Sequence, residues 1–557
     1  MITITNKAEC CGCGACVQIC PQECIAFKPD FEGFWYPEID TAKCTDCDLC
    51  SKVCFIKSTD QYIEKQNIEN RDIEKQNIEK LDIKKQNNEN FDLYATKNKD
   101  AEVKFHSSSG GMFTPLAEEI IRQGGVVFGC AFDENFIVCH SSADTIEAIA
   151  KFRKSKYVQS DIGSTYKEAK AALESGKKVL FSGLPCQIAG LKAFLQKDYE
   201  GLYCVDLICS GVSSPLVWKV YLQQLEREAN SGITYANFRE NIRDPKVLKP
   251  SSSNATLRVT FENGNEIYQH QGKADHENPF YGGFLTRLFS RPSCHACPSR
   301  GNNSGSDILI GDFWGLNRLH PEFCDKYEGE VAPHGTSQVM VFTDKGRELF
   351  NAVKGQLEIK KLDNKVILKE KVGNWFQLYQ SFAPHAKRTN FFAEFDSGEF
   401  GSGEFESGES KSGKKKDVIG LIRKFLRAGS NAGSVYNFYG EFELMRDYMY
   451  KKLMDRCISR YLNEQKLKNI AIYGMGQIGQ LFLWDMQKSG INVKYAIDRN
   501  AGSMLFCGIP TVKPDTELEK VDAIVICTLP HLDAVIKNLR EKTEAQILPL
   551  RKLIFEA

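Results

Sequence analysis

Residues 10–21 read CCGCGACVQICP, and residues 44–54 read CTDCDLCSKVC. Cys10, Cys13, Cys16 and Cys20 follow C-x2-C-x2-C-x3-C, and Pro21 completes the bacterial ferredoxin run. Cys44, Cys47, Cys50 and Cys54 repeat the spacing, with Phe55 where the proline would stand. A cubane offers four iron corners a few ångströms apart, and two-residue gaps let one loop wrap three of them with soft thiolates. The fourth cysteine of each run ligates the other cluster. The expected sets are therefore Cys10, Cys13, Cys16 and Cys54 for one 4Fe–4S cluster, and Cys44, Cys47, Cys50 and Cys20 for the other. A pair of zinc knuckles is the competing reading, but zinc takes four ligands in two pairs rather than eight in two 2-2-3 runs. Cys11 and Cys24 fall outside the pattern and read as packed thiols.

Working outward, the chain has 557 residues, which implies several domains. Its 72 basic and 72 acidic residues balance, so nothing favours nucleic acid or an anionic membrane surface. No apolar run reaches the ~18 residues of a membrane span and none follows a basic leader, so the expectation is a cytoplasmic protein with no integral membrane segment. Of 21 cysteines, ten lie between Cys10 and Cys54. Such density in a large chain without an export signal points to metal binding rather than disulfides.

The organisation reads as a 2[4Fe-4S] ferredoxin domain (1–57), a repeat linker (58–100), a central α/β domain (101–390), a Gly/Ser linker (391–416), a helical segment (417–467) and a Rossmann-like unit (468–557). The linker holds QYIEKQNIEN, RDIEKQNIEK and LDIKKQNNEN in tandem, a polar spacer, helical or disordered. The second linker repeats SGEF and SGES. In the central domain Thr114 and Pro115 are expected to cap and open a helix that ends at Gly124–Gly125. Ser164 and Ser214–Pro215 read as further helix starts. Val126–Phe132, Val179–Ser182 and Leu202–Cys209 read as strands of a partly parallel sheet, and Asn263–Gly264 as a hairpin turn. The fold class is thus multidomain α+β and α/β: a ferredoxin-like module, a central α/β domain, which the resemblance given below implies to be a flavin and iron–sulfur domain, and a C-terminal Rossmann-like unit.

Four central cysteines sit in turns: Cys186 in GLPCQ, Cys209 at a strand end, and Cys294 and Cys297 in CHAC. On spacing they form either a third cluster site or an unrelated pair with buried thiols; Cys130, Cys139, Cys204 and Cys324 read as core thiols. Ser107–Gly111 precedes a helix, where backbone N–H groups approach a phosphate, although an ordinary flexible loop reads the same way. Lys154, Lys156 and Ser160 supply cations and hydroxyls, or simply a solvated face. His106, His295 and Asp312 are acid–base candidates by location alone.

SSSGGMFTPLAEEII (107–121), FRKSKYVQSD (152–161), GLPCQIAGL (183–191), DLICSGVSSP (206–215) and CHACPSRGNNSGSDILIGDFWG (294–315) together resemble the coenzyme F420 hydrogenase/dehydrogenase beta-subunit family. The resemblance spans about residues 101–390, and a ferredoxin module in front is usual there. It implies FAD, a further 4Fe–4S cluster, and electron transfer between iron–sulfur chains and a two-electron carrier such as F420. It makes Cys186, Cys209, Cys294 and Cys297 the third ligand set, and Ser108, Ser109, Gly110, Gly111, Lys156 and Ser160 flavin contacts. Ser210 and Ser213 stand where members often carry His and Pro. Many bacterial members are associated with polysaccharide synthesis.

Near the C terminus the strand Ile470–Tyr473 leads into Gly474-Met-Gly476-Gln-Ile-Gly479, with Asp498 19 residues beyond Gly479. That is the context of a Rossmann fingerprint, for NAD or a nucleotide-sugar, or of a vestigial docking domain. The expected function is an iron–sulfur flavoprotein oxidoreductase with a ferredoxin or similar electron-transfer partner. Its small-molecule redox substrate would be an F420-type carrier or a polysaccharide-pathway intermediate. The alternatives are a non-catalytic electron-transfer subunit, or an enzyme using the C-terminal unit.

Overall fold

The computed structural model describes residues 1–57, 91–242, 256–270, 278–301, 303–324, 326–327, 330–331, 335–364, 384–396, 417–428, 458–475, 477–498, 509–527, 532–550 and 553. The tandem repeat, at 61–90, and the SGEF repeats lie outside the described residues. The chain divides into two compact units, 1–426 and 427–557.

The first unit is built on an eight-stranded mixed sheet. Its centre is parallel: Val126–Phe132, Val179–Gly183, Leu202–Leu207 and Ile308–Asp312. Apolar runs such as Val-Leu-Phe at 179–181 suit strands buried on both faces. Antiparallel strands finish both edges, Val138–Ala143 on one side, and Ser337–Val341, Asp92–Asn98 and Leu357–Leu362 on the other.

Several expectations are corrected here. Asp92–Asn98 falls inside the stretch read as linker, yet it is an internal strand with Leu93 and Ala95 buried. The helix Arg388–Asp396 runs across the boundary set at 390/391. Thr114 does not cap its helix: the element is Phe113–Arg122 with Met112 at the cap, and the buried Thr114 hydroxyl accepts from Arg153 Nε at 3.1 Å. Ser164 takes the cap position of Thr165–Glu174 without a capping bond, its hydroxyl bonding Glu168 instead. Ser214 does cap Pro215–Ala229, accepting from Val217 N at 3.2 Å. The Asn263–Gly264 hairpin joins Leu257–Phe261 to Glu266–Gln269, with Gly264 at φ 81°.

One face of the large sheet packs on Phe113–Arg122 and Asp344–Val353 through Leu116, Ile120, Leu180 and Phe350. The other packs on Thr165–Glu174 and Pro185–Leu195 through Phe181, Tyr166, Ile188 and Leu191, and in the same cluster lie Ala15 and Val53 of the cysteine-rich module. That module is therefore part of the core. Backbone N–H groups of Tyr166 and Lys167 donate to Gln18 Oε1 at 3.0 and 3.1 Å. Arg388 grips the buried Glu32 carboxylate with both ends of its fork, at 2.9 and 2.5 Å. Ser214 Oγ donates to the Glu32 carbonyl at 2.5 Å. These ties fix the module rigidly on the sheet.

The second unit holds a five-stranded parallel sheet in the order Thr511–Val512, Asn492–Ile497, Asn469–Tyr473, Ala523–Ile526, Gln546–Pro549. The chain turns from one side of Asn469–Tyr473 to the other, the topological switch of a nucleotide-binding half. Among the described residues no helix is long and apolar enough to cross a membrane.

Candidate iron–sulfur and flavin sites

The eight cysteines of the two N-terminal runs surround two separate cavities. Cys10, Cys13, Cys16 and Cys54 line one, with Cys11 beside them and Ile2, Ile4, Phe27 and Val53 supplying apolar walls. Cys20, Cys44, Cys47 and Cys50, with Cys24, line the other. The fourth cysteine of each run crosses to the other cavity, because the short helices Ala15–Ile19 and Leu49–Lys52 lie side by side. Left-handed backbone at Gly12 (φ 69°) and Gly14 (φ 79°) lets the first loop wrap its cavity. Backbone N–H groups point at the sulfurs: Ile2 N at Cys50 Sγ (3.3 Å) and Asp46 N at Cys44 Sγ (3.4 Å). Zinc knuckles would need four ligands near 2.3 Å from one ion, and among the described residues no group of three or more His, Cys, Asp or Glu side chains closes on a single ion. Thiols spaced around a cavity suit a cubane. Cys47 is the one exposed thiol of the eight, while Cys20 and Cys50 beside it and Cys16 of the first cavity are each no more than 8% exposed. Cys24, read as a packed thiol, is buried beside Cys20, sulfur to sulfur at 3.4 Å.

Cys186, Cys209, Cys294 and Cys297 converge in the central domain. Cys186 stands in the first turn of Pro185–Leu195, Cys209 follows Leu202–Leu207, and the CHAC pair rides the turn Pro292–Ala296. Burial pushes the Cys209 thiol up to about 12, with Cys294 and Cys297 adding to the shift as neighbouring like charges. Burial likewise raises Cys294 and Cys297. Thiols raised in this way stay protonated until a cationic centre binds between them and takes them as thiolates.

Cys11 supplies what spacing could not show. Its thiol lies near enough to both Cys13 and Cys186 to interact with each electrostatically. The helix carrying Cys186 also presses Gly190 on Cys13: a Cβ there would stand 2.7 Å from Cys13 Cβ and 3.0 Å from its Sγ. Arg291 carries no motif in the sequence either. It is fully buried, donates to the Cys10 carbonyl, and precedes Cys294 by three residues.

The loop residues read as flavin contacts meet protein partners. Ser108 Oγ accepts from Ser155 N at 2.8 Å, and Ser109 Oγ donates to the Thr336 carbonyl at 2.8 Å. Gly110 has no room for a side chain, since a Cβ would lie 2.3 Å from Thr96 O, and Gly111 is at φ 82°. Lys156 Nζ donates to the carbonyls of Cys130, Lys151 and Arg153, and burial lowers its pKa to about 8. Ser160 Oγ bonds His140 Nδ1 and accepts from Gln187 Nε2. Lys156 and Ser160 thus spend their polar atoms on Cys130, Lys151, Arg153, His140 and Gln187 rather than on the Ser107–Gly111 loop.

Beside that loop stands Arg239, 4% exposed. It pairs with Asp312 at 3.0 Å, donates to Tyr157 OH at 2.9 Å and to Ser108 O at 2.8 Å, and its buried Nε has no hydrogen-bond partner among the described residues. Asp312 therefore belongs to an ion pair. His295 Nε2 bonds Ser290 Oγ at 3.2 Å, and His106 lies 3.8 Å from Glu102 on a helix surface.

In the second unit Gly474 is at φ 89°, and a Cβ on Gly479 would stand 2.0 Å from Gly474 O, so the turn admits only glycine at 479. Gly476 lies outside the described residues. Asp498 Oδ2 accepts from Met475 N at 2.7 Å, which places its carboxylate against the glycine turn.

Comparison with known proteins gives two family matches. Residues 176–365 match the family described as the C terminus of the coenzyme F420 hydrogenase/dehydrogenase beta subunit, a span that contains all four central cysteines. Residues 9–57 match the 4Fe-4S dicluster domain. Among solved structures, a chain of the F420-reducing nickel–iron hydrogenase complex from Methanosarcina barkeri aligns at 22% identity, covering 48% of this chain and 81% of that one, with a TM-score of 0.32. No curated protein matches. The matched descriptions name coenzyme F420, and none names polysaccharide synthesis.

Proposed function

We propose, from the match of residues 176–365 to the coenzyme F420 hydrogenase/dehydrogenase beta-subunit family and of residues 9–57 to the 4Fe-4S dicluster domain, that this chain is an oxidoreductase of that family and carries electrons through three 4Fe–4S sites to a flavin serving a two-electron carrier. Cys10, Cys13, Cys16 and Cys54 hold one cluster, Cys44, Cys47, Cys50 and Cys20 the second, and Cys186, Cys209, Cys294 and Cys297 the third. Clusters pass single electrons, and a flavin converts them to a hydride. The observation that supports this is the packing of the helix that carries Cys186 directly on Cys13, where a Cβ on Gly190 would stand 2.7 Å from Cys13 Cβ, so the first and third thiol sets are neighbours.

The chain's own residues do the rest. The ties at Gln18, Glu32 and Ser214 hold the module at a fixed separation from the sheet. Exposed Cys47 marks where an electron-transfer protein, such as a ferredoxin, delivers. Arg239, with an unpaired buried N–H beside Ser108, offers a cation to the diphosphate of FAD, and the backbone of Ser108–Gly111 offers N–H donors. The carrier reduced or oxidised at the flavin is coenzyme F420.

The test is Cys294→Ser in the full chain purified without oxygen. Iron falls by about four per chain, electron transfer from the N-terminal sites to F420 ceases, and iron at the Cys10–Cys54 sites stays. Unchanged iron and F420 turnover would remove Cys294 and the third site from the path.

A further inference from the structure

Arg291 donates through Nε to the Cys10 carbonyl (2.8 Å), through Nη1 to Gln159 Oε1 (2.9 Å) and through Nη2 to the Trp35 carbonyl (3.0 Å). Nη2 also faces Cys10 Sγ at 3.6 Å, and the guanidinium carbon lies 4.3 Å from the centre of the Tyr36 ring. Its side chain is wholly inaccessible. Every one of these partners is uncharged as the chain folds. Glu32, a carboxylate of the same module, is engaged by Arg388 instead. Burying a lone cation costs several kcal/mol unless a counter-charge accompanies it. The atom of that set able to carry one is the Cys10 sulfur, as a metal-bound thiolate.

Among the described residues the lining of the other N-terminal cavity holds no lysine or arginine: its carboxylates, Asp46 and Asp48, share the exposed Met1 ammonium at 3.4 and 2.9 Å, two negative charges to one positive. The Cys10-side lining carries one carboxylate, Glu9, with buried Arg291 behind Cys10. A cluster gains negative charge when it accepts an electron, so a buried cation favours the reduced form and nearby carboxylates disfavour it.

We propose that Arg291 is the counter-ion of the cluster held by Cys10, Cys13, Cys16 and Cys54, and that this charge asymmetry makes that cluster easier to reduce than its neighbour at exposed Cys47. This rests on the cluster sites assigned above. One electron leaves the Cys47-side cluster, which is oxidised, and enters the Cys10-side cluster, which is reduced. Transfer inward, toward Cys11 and Cys186, is thereby downhill. Arg291 acts as a positioning residue: it exchanges no proton and contacts no substrate.

The experiment is a potentiometric titration followed by electron paramagnetic resonance on the anaerobically purified full chain, comparing wild type, R291K and R291Q. With full iron loading, R291Q shifts one midpoint to lower potential and leaves the others in place. R291K, which keeps the charge but cannot reach the sulfur and both carbonyls together, shifts the same midpoint less. Should R291Q fail to load iron, R291K carries the test. Unchanged midpoints in whichever variant is fully loaded would overturn the counter-ion role, whereas a wild type without iron would overturn the cluster sites themselves.

Discussion

The cysteine-rich module and the Ser107–Ser160 region both read as cofactor sites in the sequence, and they behave differently in the fold. In the module, eight side chains turn toward two cavities, and what touches their sulfurs is a few N–H donors and one neighbouring thiol. In the Ser107–Ser160 region, Ser108, Ser109, Lys156 and Ser160 all turn toward protein partners. A thiolate set has one use, so its spacing survives as a signal. A serine or lysine has many uses, and a buried one takes the nearest carbonyl or amide. The polar group left over in this region is Arg239 Nε, the one proposed above to meet the flavin's diphosphate.

The sharpest way to break this contrast is Cys13→Ser against Lys156→Ala. Cys13→Ser removes a ligand and about four irons, and electron transfer into the central domain is lost. Lys156→Ala keeps the iron, and its cost appears as a lower melting temperature because three carbonyls lose a donor. Equal iron loss in both variants would erase the distinction.

Next in size comes a pH effect. Burial, above all, raises the Asp206 carboxyl to about 7, with Ser304 Oγ donating to it at 2.6 Å. The unfolded chain releases this proton near 3.8 while the folded chain keeps it until about 7. The unfolded state then binds fewer protons, so stability falls as pH rises through that window and levels off above it. Asp206→Asn flattens the decline, as denaturant midpoints between pH 4 and 7 will show; an unchanged slope would place it elsewhere.

Gly190→Val drives a branched side chain into Cys13 and costs about 1–3 kcal/mol, read as a lower melting temperature with partial loss of iron. Full loading at wild-type stability would show that the helix can yield. Smallest are the caps. Ser214→Ala removes a cap and the tie to Glu32, costing about 1–2 kcal/mol, whereas Ser164→Ala, which lacks a capping bond, stays within ~0.5 kcal/mol. The two unfolding curves check this directly.

Legibility follows the same physics. The crossing of the two cysteine runs, the parallel centre of the sheet and the Asn263–Gly264 hairpin are readable because each depends on local spacing. Asp92–Asn98 escapes a local reading because its strand nature comes from pairing with Ser337–Val341 and Leu357–Leu362, more than 200 residues away. Thr114 looks like a cap, but an arginine 39 residues on takes its hydroxyl. Cys11 and Arg291 carry no motif at all, and only folding the module against the sheet gives them neighbours.

The central claim is that three thiol sets in one rigid unit hold three clusters that feed a flavin. Iron, sulfide and flavin counted per chain after anaerobic purification test it most directly. The account predicts about twelve irons, matching sulfide and one FAD; about eight irons without flavin would contradict it and leave the chain an electron carrier for a separate enzyme.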